Sequence, residues 1–238
     1  MRPLFALVPF ALLASLSLPA LAGTISIEGR GEVTASPDTA YVTSGVTTQG
    51  ATAREALDLN TKAMADLLAE LKASGIAERD VQTSGFSVNP NYVYTEERDA
   101  NGYSLPPKIN GYQVSNVVTV RVRALDTLGA ILDKSVTVGA NTINGVTFAV
   151  ADPTELFNAA RKSAFADARA KAELYATAAG AALEDIVSIN EGASMEPPQP
   201  YMVKAMDESA RADVPVAAGE LSFAINVSVQ WELEDAGK

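Results

Sequence analysis

The sequence predicts an α+β fold in which helices pack on largely antiparallel sheet. Strand-like and helix-like segments alternate in the order β-β-α-β-β-α-β-α-β-β, so strands come in adjacent pairs where a doubly wound fold needs strict alternation. Leu221, Phe223, Ile225, Val227, Val229, Trp231 and Leu233 then alternate without a break, the pattern of a strand buried on one side. Two long segments carry apolar residues at helical spacing behind capping signals, which supplies the helices that cover the sheet. The helices at 53–74 and 154–179, each flanked by strands, are compatible with two halves of related plan, although the sequence shows no repeat.

In chain order, "TISIEGRGEV" and "TAYVTSGVTTQ" read as strands separated by the turn Ser36-Pro37-Asp38, with Ala40, Val42 and Val46 on one face of the second. Thr52 and Glu55 have capping-box spacing, since hydroxyl and carboxylate can each satisfy a free N–H at a helix start. Behind them Leu57, Met64, Leu67, Leu68 and Leu71 form the expected apolar stripe, and Gly75 the stop. Strands follow at 83–94 and 109–123, joined by the polar loop "TEERDANGYSLPPK". In the second of these, Val118, Val120 and Val122 alternate with Thr119, Arg121 and Arg123, which predicts one buried and one wet face.

A short helix over 126–138 presents Leu128, Ile131 and Leu132 inward, and "NTINGVTFAV" returns as a strand. Asp152-Pro153-Thr154-Glu155 joins an N-cap acid, a proline at the first helical position and a capping glutamate. The helix it opens runs to Ala179, with Phe157, Ala160, Ala164, Ala168, Ala172 and Tyr175 along one stripe whose small residues permit close approach to a sheet. A strand at 185–190 follows, and prolines and small polar residues then predict a mobile loop at about 192–218.

Residues 1–22 combine Arg2, an apolar run interrupted by Pro9 and the small-x-small site Ala20-Leu21-Ala22, which is the pattern of a secretory signal peptide. The expected mature chain is 23–238, periplasmic and without a transmembrane segment. With 29 acidic against 18 basic residues the formal charge is -11, which disfavours nucleic acid and anionic lipid as partners. Histidine and cysteine are both absent. That removes Ser-His-Asp and Cys-His catalysis, disulfides, thiol redox chemistry and the usual zinc sets together.

Gly29-Arg30-Gly31 invites a phosphate-loop reading, but such a loop must open a helix, and here a turn and a second strand follow. A bulge or a close backbone crossing explains these glycines better. The segments "ISIEGRGEVTASPDTAYVTSGVTTQGATAREAL", "SGIAERDVQTSGFSVNPNYVY", "INGYQVSNVVTVRVRALDTLGAILD" and "ARKSAFADARAKAELYA" resemble, in order and spacing, the SIMPL-domain, YggE-like periplasmic proteins. The likeness covers nearly the whole mature chain. It implies one exported α+β domain that self-associates, a loose link to oxidative-stress defence and, in pathogens, antigenicity. It brings no catalytic residues with it.

The remaining chemistry is carboxylate, lysine or hydroxyl chemistry, and no catalytic, cofactor-binding or metal-binding set is assigned. Glu96, Glu97, Asp99 and Asn101 share one loop, where a calcium site is weighed against an acidic, solvated hairpin tip and the tip is preferred. Met195, Met202 and Met206, with Tyr201, are the candidate interaction or oxidation sites, since thioethers bind Cu(I) and absorb oxidants as sulfoxides. The leading expectation is a non-catalytic homo-oligomer that also binds a periplasmic protein partner. Its motive is that the long strands at 109–123 and 219–233 expose edges unless something pairs with them. The alternatives are stoichiometric oxidant or metal handling by the methionine loop, and last a carboxylate hydrolase.

Overall fold

The computed structural model describes residues 23–192, 199–201 and 214–235. In chain order the elements are β1 (Gly23–Ala35), β2 (Thr39–Gly50), α1 (Ala53–Ala73), β3 (Val81–Val93), β4 (Lys108–Val122), α2 (Leu128–Thr137), β5 (Thr142–Ala149), α3 (Thr154–Ala179), β6 (Ala181–Glu191), β7 (Gln199–Tyr201) and β8 (Glu220–Asp235). The fold is α+β, with two antiparallel sheets of order β3-β4-β2-β5 and β1-β8-β6, β7 also pairing with β8. Described residues 32–160, 199–201 and 214–225 form one compact unit, and 23–31, 161–192 and 226–235 the other.

In the larger unit the β3-β4-β2-β5 sheet carries α1 and α2. Thr52 Oγ1 accepts the Glu55 N–H at 3.2 Å, while Glu55 Oε2 accepts from Ala51 N at 3.0 Å, so the predicted box closes one residue early. Both helices end in the same device: Gly75 N–H donates to Lys72 O and Ile76 N–H to Leu71 O, as Gly139 N–H donates to Val136 O and Ala140 N–H to Ser135 O. Each is a Schellman stop, and the φ of +89° at Gly75 and +115° at Gly139 explains the glycine.

The stripe of α1 is rotated from the expected one. Ala56, Asn60, Met64, Leu67 and Leu71 are buried, whereas Leu68 is 42% exposed and Leu57 is half-buried. Spacings of four and three fix the face, and a polar residue belongs to it because Asn60 Nδ2 donates to Val46 O at 2.8 Å and to Val114 O at 3.3 Å. Below α1 and α2 lie Ala40, Val42, Val46, Val118, Val120 and Val122, all buried, as their alternation predicts.

In the smaller unit α3 and β1 meet at closest range. A Cβ on Gly29 would lie 2.1 Å from Ala164 O and 2.7 Å from Ala168 Cβ, so the Gly-x-Gly is a close crossing against the alanine stripe. That stripe runs Ala160, Ala164, Ala168, Ala172 and Ala176, all buried; Tyr175, assigned to it from sequence, is 59% exposed and its place belongs to Ala176. Asp167 Oδ2 accepts the Arg30 N–H at 2.9 Å and pairs with Lys171 at 2.6 Å, tying strand and helix together beside the glycine.

β8 is the buried strand its alternation announces, with Trp231 2% exposed and Phe165 tilted against it at 6.3 Å. Within the predicted loop, β7 is a strand: Gln199 to Tyr201 pair with Ser222 to Glu220, covering the start of β8.

Candidate interaction surface

The strands expected to expose edges do not. β4 lies between β3 and β2, and β8 between β1 and β6, so both are interior, and among the described residues the open edges fall on β3, β5, β1 and β6. Apolar alternation tells which face of a strand is buried and nothing about what pairs with its edges, which is why the edge assignment from sequence inverts.

β3 is the longest edge of the four-stranded sheet and the least covered. Its pairing with β4 runs from Val81↔Val120 to Val93↔Lys108, while β2 pairs with β4 only as far as Gly50↔Tyr112. Beyond that point β3 and β4 continue as a two-stranded arm. The arm leaves the sheet at Gly111, whose φ of +136° and would-be Cβ 2.8 Å from Gly50 O admit no side chain. Its tip is ordered locally, since Asp99 Oδ1 accepts the N–H groups of Asn101 and Tyr103, each at 2.9 Å, and Arg98 Nη1 donates to Gly102 O. Asp99 thus closes a turn, and Glu96 and Glu97 beside it are exposed.

Register shifts between Thr83 and Gly85 and between Pro90 and Tyr92 interrupt β3, leaving a regular stretch from 85 to 90. There Phe86 opposes Asn116 and Val88 opposes Val114, on the face that α1 covers over β4 and β2. Val114 is fully buried, while Val88 is 41% and Phe86 57% exposed. On the arm Tyr92 opposes Ile109, a further apolar pair that is about half exposed.

The opposite face of β4 is wet, as predicted, and it is ordered. Arg123 donates to both carboxylate oxygens of Asp80, at 2.7 and 2.9 Å, and this guanidinium holds the Asp80 carboxyl below the usual carboxylate range. Arg121 lies 5.8 Å from the centre of the Tyr41 ring, its partner across the strands.

A family model described as "SIMPL: Protein of unknown function (DUF541)" matches residues 25–231. The chain belongs to the SIMPL family. It is 39% identical to the 26 kDa periplasmic immunogenic proteins of Brucella melitensis biotype 1 and of Brucella abortus, over 94% of this chain and 93% of each relative. This SIMPL protein is periplasmic. No helix among its described residues is long and apolar enough to cross a membrane.

Of the residues singled out from sequence, Met195, Met202 and Met206 lie outside the described residues, and Tyr201 is described only as the end of β7, paired with Glu220. Tyr94 and Tyr103, in the loop that joins β3 to β4, are 79% and 73% exposed. The strip at Phe86 and Val88 escaped sequence reasoning. Its alternation is that of any half-buried strand, and only the position of α1 reveals that no described residue covers it.

Proposed function

We propose that this SIMPL protein acts without making or breaking bonds, by self-association along the strip on β3 and by docking a periplasmic protein partner through the same arm. The observation that carries the reading is the contrast at one register position: Val88 is 41% exposed beside a fully buried Val114. An apolar strip on an open strand edge loses free energy to water until a neighbour covers it, and a second strand would also satisfy the edge's backbone groups. The bulges and Pro90 limit such pairing to 85–90, which favours a defined contact over open-ended aggregation. The absence of histidine and cysteine from the whole sequence points the same way.

Export is part of the proposal, with residues 1–22 removed as a signal peptide and 23–238 forming the working domain; the intact mass of protein taken from the periplasm checks the cleavage point. Light scattering on the mature chain over a wide concentration range tests the association. A mass that rises above that of one chain is expected, and a single-chain mass at every concentration would defeat the reading.

A further inference from the structure

On the helix-free face of the four-stranded sheet, Tyr41, Arg79, Asp80, Gln82, Thr119 and two further arginines, Arg121 and Arg123, line an open concavity of about 210 Å³. We propose that this concavity binds a small oxyanion, a carboxylate or a phosphate group, between the guanidiniums of Arg79, Arg121 and Arg123.

Charge is the first argument. In a chain of net charge -11, three arginines line one hollow and Asp80 is its one acid. Asp80 lines the hollow as well, but both of its carboxylate oxygens are held by Arg123 in a two-pronged pair and its side chain is only 7% exposed. Arg123 stays 49% exposed despite that pair, leaving its outer N–H groups available. Arg79 and Arg121 have no carboxylate within ion-pair distance among the described residues.

Preorganisation is the second. Arg121 donates through Nε to Thr39 Oγ1 at 3.3 Å and lies against the Tyr41 ring, two contacts that restrain its guanidinium. Thr39 is itself fixed, 1% exposed and donating to Val122 O at 3.1 Å. Arg121 lies at the end of β4 and Arg123 just past the strand's last residue, Val122, and both line the same hollow. A guanidinium held by its Nε side presents a fork of N–H groups that suits the paired oxygens of carboxylate or phosphate. Gln82 and Thr119, opposite each other on β3 and β4, add neutral donors at the rim.

Size is the third. Drug-sized ligands occupy about 300–1,000 Å³, so a hollow of about 210 Å³ suits a compact anion.

The test titrates the mature chain separately with inorganic phosphate, with a short dicarboxylate and with an acidic peptide, following amide shifts by NMR. Saturable shifts at Gln82 and Thr119 with phosphate or dicarboxylate are expected, and whichever binds tighter identifies the source. Replacing Arg79→Gln and Arg121→Gln together should weaken binding about tenfold or more, whereas Lys162→Gln with Arg169→Gln, which removes the same charge from α3, should leave it unchanged. No saturable shift with either small anion, equal loss in both double variants, or binding of the peptide alone would overturn the proposal.

Discussion

β3 and β4 are paired strand to strand, yet one is core and the other is surface. Val114, Val118, Val120 and Val122 on β4 are fully buried, while Phe86 and Val88 on β3, on the same side of the sheet, are about half exposed. The two strands have similar apolar content on that side, so composition does not set the difference. Coverage does: α1 and α2 pack over β2 and β4, and of the apolar residues of β3 Val81 packs against that core while Phe86 and Val88 do not belong to it. Burial is therefore a property of where the helices sit, and an uncovered apolar residue on a strand edge is available to a partner.

The sharpest way to break this comparison is to place a charge at both positions of one register pair. Val114→Asp buries an unpaired carboxylate and should cost about 4 kcal/mol or more, enough to unfold a domain of ordinary stability. Val88→Asp should change the stability of a single chain by no more than about 0.5 kcal/mol while abolishing association. Urea unfolding at low protein concentration reads both, and equal losses would show that Val88 is core after all.

Next in size is the helix that does the covering. Leu67→Ala leaves a cavity under α1 and should cost about 2–5 kcal/mol, whereas Leu68→Ala, one position round the helix, should cost about 0.5 kcal/mol or less. Equal losses in the thermal melts of the two variants would mean that both leucines lie on the buried stripe, as the leucine spacing suggests.

Coverage at its tightest is the crossing of β1 and α3. Gly29→Ala pushes a methyl group into the Ala164 carbonyl and should cost about 1–3 kcal/mol. A melt unchanged from wild type would mean that helix and strand separate freely at that point.

The smallest effects are on pH. Asp80 titrates below its ordinary value because Arg123 grips it, so its stabilisation is present above the unfolded-state pKa and is lost as pH falls through the folded one. Glu184 titrates above its ordinary value because it hydrogen-bonds Glu234, with Asp185 and Glu232 adding repulsion. Its contribution has the opposite sign: full below the unfolded pKa, lost as pH rises through the folded pKa. Asp80→Asn should therefore flatten the acid limb of a stability–pH curve, and Glu234→Gln should remove the decline on the rising side of the carboxylate range. Curves superimposable on wild type would contradict both assignments.

Much of this was legible in the sequence. Capping residues placed α1 and α3, glycines placed the ends of α1 and α2, and period-two alternation named β8 and the buried side of β4, because these are local signals that tertiary structure did not override. The alanines of α3 foretold a close crossing, and Gly29 supplied it. What stayed hidden depended on packing between distant segments. Leu57 and Leu68 are as apolar as Leu67, yet the face of α1 was decided by Asn60 reaching two carbonyls on separate strands. The central places of β4 and β8, the strip on β3, and a basic hollow assembled from residues 41, 79–82 and 119–123 follow from strand order, which no local pattern states.

The most direct measurement uses the absence of cysteine from the sequence. A spin label on Ser87→Cys sits in the regular stretch of β3, and one on Tyr175→Cys, exposed on α3, serves as control. Association through β3 predicts that the label at 87 becomes immobilised as concentration rises and regains mobility on dilution, while the label at 175 stays mobile throughout. A label at 87 that remains mobile at every concentration, or equal immobilisation at both positions, would contradict it.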